Sequence, residues 1–135
     1  MQSILVVDDE PDVRDSVKYV LDRAGYSVRT AGSAAEAYAE LARHPTDLVI
    51  TDIIMPHING VEAIESIRKA FPSVRIIAIS GGGNFGITEY LPTAITTTAY
   101  LASAERAGAN RVLTKPFEAD DLIKAVEQVL GVGHA

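Results

Sequence analysis

The chain has 135 residues, 47% of them hydrophobic, no cysteine and a formal net charge of −6. That is enough for one packed domain and too little for two of ordinary size. Disulfides and thiolate metal sites are excluded, and a phosphate backbone would be repelled on average, so direct nucleic-acid binding is not expected. There is no apolar stretch near membrane-spanning length, and Met1 leads straight into a strand without a basic leader, so neither a membrane span nor a secretory signal is expected. The cytoplasm is the expected location.

Apolar runs alternate with amphipathic stretches, the βαβ signature of a parallel sheet. The first run, Ile4-Leu5-Val6-Val7, predicts a strand over 3–8 and stops at Asp8-Asp9. Val13, Val17, Val20, Leu21 and Ala24 then recur at helical spacing from Pro11, a favourable first-turn residue, and Gly25 ends the helix. A strand over 26–31 follows. Ser33-Ala34-Ala35-Glu36 is a capping-box pattern that opens a second helix with Ala37 and Leu41 inward.

The next run, Leu48-Val49-Ile50-Thr51, predicts a strand over 47–52 that stops at Asp52. A third helix is expected over 61–70 with Ile64 and Ile67 inward. The run at 74–80 is apolar throughout, as in a strand covered by helices on both faces. A strand over 111–115 stops at Lys115-Pro116, and a last helix after Phe117 carries Leu122, Ile123, Val126, Val129 and Leu130 to Gly131. Right-handed crossovers limit such a chain to a few doubly wound orders. The expected architecture is a single α/β domain over 1–135, a five-stranded parallel sheet in order 2-1-3-4-5 with helices on both faces.

One segment departs from this rhythm. The stretch from Ser80 to Lys115 is longer than that from Asp52 to Ser80, which points to an insertion at about 84–97, before or within the fourth helix. Gly81-Gly82-Gly83-Asn84-Phe85-Gly86 fits a dinucleotide-binding glycine pattern but follows the fourth strand instead of the first, so it reads as a hinge. Ile87, Tyr90, Leu91, Ala94 and Ile95 could pack on the domain or dock a partner.

In a parallel sheet the charged strand ends Asp8, Asp9, Asp52 and Lys115 gather on the edge where such sheets bind ligands. Two carboxylates about 4 Å apart repel by roughly 4 kcal/mol at an effective dielectric of about 20. Three of them facing one ammonium form a group that a hard cation such as Mg²⁺ would complete. Taken one at a time, Asp9 could simply cap the helix at Pro11 and Asp52 could simply end a strand.

The full pattern resembles the receiver domain of two-component response regulators. It is carried by Asp8-Asp9, Asp52, Met55-Pro56, Gly60, Ser80 and Lys115-Pro116-Phe117, in order on the corresponding elements, and covers about residues 3–131. The resemblance implies that Asp52 accepts a phosphoryl group from a phosphohistidine, with Lys115 pairing with the phosphoryl oxygens and Ser80 moving toward them. It implies Mg²⁺ held by Asp9, Asp52 and the backbone carbonyl of Ile54, with Asp8 acting through water. The partners would be a sensor histidine kinase or histidine phosphotransfer protein and a downstream protein target. The family also admits a homodimer through the face of helix four, strand five and helix five.

The expected protein is a self-phosphorylating and self-dephosphorylating switch, not a turnover enzyme. Four residues follow Gly131, so a stand-alone regulator or relay intermediate is expected. Two readings compete with this one. Val112 stands where the family often has an aromatic residue that reports phosphorylation, which suits a phosphorylation-independent scaffold and otherwise routes the signal through Ser80 and residues 81–86. An aspartate-nucleophile phosphatase would need a second aspartate at position 54, where this chain has Ile54. His57 reads as solvated surface.

Overall fold

The computed structural model describes residues 2–52, 54–55, 58–80, 105–114 and 117–131. Five strands form one parallel sheet: β1 (Ser3–Val7), β2 (Ser27–Ala31), β3 (Leu48–Asp52), β4 (Arg75–Ser80) and β5 (Arg111–Thr114). Their order across the sheet is β2-β1-β3-β4-β5, the order expected from the sequence. The described helices are α1 (Pro11–Arg23), α2 (Ala34–Arg43), α3 (Gly60–Ala70) and the C-terminal α4 (Ala119–Leu130). Residues 105–107 are also helical and lead into β5. The expected insertion at 84–97 and the glycine run 81–86 lie outside the described residues.

Alternation along the strands divides the interior into two apolar layers. Ile4, Val6, Leu48, Ile50, Ile77, Ile79 and Leu113 pack with Val17 and Leu21 of α1 and with Leu122, Ala125, Val126 and Val129 of α4. Leu5, Val7, Val49, Ile76 and Ala78 pack on the other face with Ala37 and Leu41 of α2 and Ile64 and Ile67 of α3. Strands buried on both faces need the near-continuous apolar runs that the sequence shows.

Local signals fix the helix ends. Ser33 caps α2, its Oγ accepting from the Glu36 N–H at 3.2 Å. The Glu36 carboxylate reaches back one residue beyond the usual capping box, accepting from the Gly32 N–H at 2.7 Å. α4 opens with a reciprocal bond pair between Glu118 and Asp121 and ends at Gly131, whose φ of 71° is the left-handed conformation that glycine adopts without strain. Ala24 differs from expectation: it is the exposed C-cap residue of α1 and not part of its buried stripe.

Candidate functional site at the carboxyl edge of the sheet

The register brings the acidic strand ends together. Val7 of β1 lies opposite Thr51 of β3, so Asp8 and Asp52 are the next residues along two neighbouring strands. Parallel neighbours run about 4.8 Å apart. Both aspartates are only 2% exposed, and with Thr51 they are the buried polar residues among those described. Asp52 continues the alternation of Leu48 and Ile50 toward the α1/α4 layer. β1 and β3 are also the strands between which the order of the sheet reverses, the crevice in which doubly wound domains bind ligands.

Asp8 is tied down by its surroundings. Its N–H donates to the Ala31 carbonyl at 3.1 Å, prolonging the β1–β2 ladder by one step. Its Oδ1 accepts from the Glu10 N–H at 2.9 Å. Its carbonyl accepts from Nη1 of Arg14 at 2.7 Å. Asp9, one residue on, is exposed. The capping role considered for Asp9 is absent, because the N-cap of α1 is Glu10, whose side chain makes no capping bond.

The other expected site residues divide between described and undescribed positions. Ser80 ends β4 and pairs in register with Thr114, the last residue of β5. Lys115 and Pro116 themselves lie outside the described residues, as do Pro56 and His57. Ile54 and Met55 pair antiparallel with Asn59 and Ile58, a two-rung hairpin directly after the Asp52 strand where only a loop was expected. Val112 lies opposite Ala78 and packs, partly buried, against the α2/α3 layer.

Among the described residues, no three acidic or histidine side chains stand close enough to hold a metal ion by themselves. What the edge offers is the pair Asp8 and Asp52, withdrawn from water, with the exposed Asp9 beside them. Two like charges at the mouth of a crevice are costly without a compensating positive charge. The donor set is entirely oxygen, which suits a hard cation such as Mg²⁺ better than zinc. Sequence reasoning missed Arg14, whose bond to the Asp8 carbonyl joins α1 to this edge; its place six residues after Asp8 carries no motif.

A doubly wound parallel sheet with aspartates buried at the β1/β3 switch point is the class of fold and site that the structure defines. The chain belongs to the response regulator receiver domain family of two-component systems, whose model matches residues 4–127. It is 38% identical over 128 residues to the DNA-binding transcriptional regulator NtrC of Azospirillum brasilense, covering 95% of this chain and 24% of that protein. It is 29% identical over 130 residues to the response regulator receiver protein CpdR of Brucella abortus, covering 96% of this chain and 98% of that one. The crystal structure of the receiver domain of NtrX from Brucella abortus superposes with a TM-score of 0.81 at 35% identity, covering 96% and 99% of the two chains. The chain thus spans about a quarter of the NtrC relative and nearly all of CpdR.

Proposed function

We propose that this chain is a phosphoacceptor switch in which Asp52 takes a phosphoryl group from a phosphohistidine partner. The observation that carries the reading is the burial of Asp52 beside Asp8 at the switch point of the sheet. In the transfer, an Asp52 carboxylate oxygen forms the new P–O bond as the P–N bond of the phosphohistidine breaks, and the electron pair of that bond returns to the imidazole. Such a transfer needs little covalent help and depends on positioning and charge neutralisation.

Burial fixes the direction from which the Asp52 oxygen is approached and limits attack by water. Asp9, Asp52 and the Ile54 carbonyl would hold Mg²⁺, with Asp8 acting through a water. When bound, the cation supplies the positive charge that lets an anionic phosphoryl group approach the carboxylates. Lys115 would pair with the phosphoryl oxygens, and the Ser80 hydroxyl would move toward them after transfer.

In this reading the chain is a single domain working between a histidine kinase or histidine phosphotransfer protein and a downstream protein, in the cytoplasm. No described helix is long and apolar enough to cross a membrane. Similarity to CpdR along nearly the whole of both chains supports a stand-alone regulator or relay intermediate. A phosphorylation-independent scaffold is the second reading, and Val112 in place of an aromatic residue is the feature that favours it.

Intact mass measurement after incubation with a small phosphodonor and Mg²⁺ separates the two. The expected result is one phosphoryl adduct on the wild type and none on Asp52→Asn. A wild type without adduct supports the scaffold, and an adduct that persists on the variant moves the acceptor to another residue.

A further inference from the structure

The Asp8 peptide is held on three sides, and the third hold comes from outside the site. The bond to Ala31 belongs to the strand ladder and the bond from Glu10 to the turn after β1. The bond from Arg14 to the Asp8 carbonyl reaches back from the first turns of α1. That carbonyl and the Asp9 N–H belong to one peptide plane, so whatever fixes the carbonyl also fixes the direction in which Asp9 leaves β1. Asp9 is exposed and beyond the last rung of the ladder. On its other side, the Glu10 N–H is held by Asp8 Oδ1, so the Arg14 bond fixes the peptide that enters Asp9 and the turn bond the one that leaves it.

Gly32 bears on the same contact. A Cβ added there would lie 2.8 Å from Nη1 of Arg14 and 3.5 Å from its Cζ. Gly32 is not among the glycines with positive φ, so its backbone conformation does not demand glycine. The space does: a methyl at position 32 would displace the guanidinium, whose flexible stem lets it move away at the cost of its bond to Asp8.

We propose that Arg14 is a positioning residue for the cation site, orienting the Asp8–Asp9 peptide through the Asp8 carbonyl, and that Gly32 is glycine to leave room for it. This inference rests on the Mg²⁺ reading given above. It makes an unusual sign prediction. A guanidinium near a cation site repels the cation, so if Arg14 acted only through its charge, removing it would tighten Mg²⁺ binding. A positioning role gives the opposite result, because groups that orient metal ligands typically change affinity by about 10–100-fold when lost.

The test is a Mg²⁺ titration of the full chain by calorimetry, with melting temperatures recorded without Mg²⁺. Arg14→Ala and Gly32→Ala are each expected to weaken Mg²⁺ binding by about tenfold. The double variant should be no weaker than either single one, since both remove the same contact. Gly32→Ala adds only a methyl group and carries the test if Arg14→Ala does not fold. Equal or tighter Mg²⁺ binding by the folded variants overturns the positioning role. A wild type that binds no Mg²⁺ overturns the metal reading itself, and this inference with it.

Discussion

The two edges of the sheet differ in the charged groups that they bury. At the amino edge, cations meet acceptors at every turn. Arg68 donates to the carbonyls of Pro72 and Val74 through Nη1, and to the Gly108 carbonyl and Asn110 Oδ1, each at 2.9 Å, through Nη2. Asn110 Oδ1 also accepts from the Ile76 N–H, so one side chain joins the entry of β4 to the turn before β5. Arg29 bridges Glu40, Thr46 and Ser3, tying the edge strand β2 to the end of α2 and the start of β1. At the carboxyl edge, Asp8 and Asp52 are buried side by side instead. One edge gathers long-range side-chain bonds between strands and helices, and the other buries two carboxylates on neighbouring strands.

The largest expected effects fall on the carboxyl edge. Asp9→Ala should weaken Mg²⁺ binding by about a hundredfold or more, and Asp8→Ala by about tenfold, if Asp9 is the direct ligand and Asp8 acts through water. Metal titration decides the order. Two equal losses would put both aspartates in the same role and break the assignment.

The amino edge should show the reverse pattern. Arg68→Ala removes donors from four acceptors and should cost about 2–3 kcal/mol in urea unfolding, since hydrogen bonds to charged groups are worth about 1.5–3 kcal/mol and some of these are partly exposed. Mg²⁺ affinity should stay within about twofold of the wild type. A variant that lost Mg²⁺ binding while keeping its stability would erase the division between the edges.

The smallest effect concerns pH. The hydrogen bond from Arg29 holds the Glu40 carboxyl below its ordinary range; burial opposes this, and the charges of Arg29, His44 and Arg43 add to it. Because the folded value lies below the unfolded one, the contribution is fully present above about pH 4.3. It is lost as the pH falls through the folded value. Glu40→Gln should therefore flatten the acid limb of the stability profile and change little near neutrality. An unchanged acid limb would show that the Arg29–Glu40 pair adds nothing measurable.

Most of the fold was legible in the sequence because strands buried on both faces leave continuous apolar runs with charged stops. Predicted and observed strand limits differ by one residue at most, as in 3–8 against Ser3–Val7 and 74–80 against Arg75–Ser80. Asp8 and Asp52 were legible for the same reason. The different environments of Asp8 and Asp9 were not, since two adjacent aspartates look alike until the ladder bond to Ala31 draws one inward. The amino-edge networks were equally hidden: the partners of Arg68 at Gly108 and Asn110 lie about forty residues along the chain, and no local pattern links them. Nothing in the sequence marks Gly32 out; its closeness to Arg14 emerges only in the structure.

The most direct test of the contrast between the edges is thermal unfolding of the wild type and Asp52→Asn, each with and without millimolar Mg²⁺. Asp52→Asn is nearly isosteric and removes one of two carboxylates buried on neighbouring strands. Without Mg²⁺ the variant should therefore melt at or above the wild-type temperature, gaining on the order of 1 kcal/mol. With Mg²⁺ at about a hundredfold excess over its Kd, the wild type should gain roughly 2–3 kcal/mol, several degrees in Tm, while the variant gains much less. Equal wild-type midpoints with and without Mg²⁺, together with a variant less stable than the wild type, would contradict the account of the carboxyl edge as a cation-dependent site.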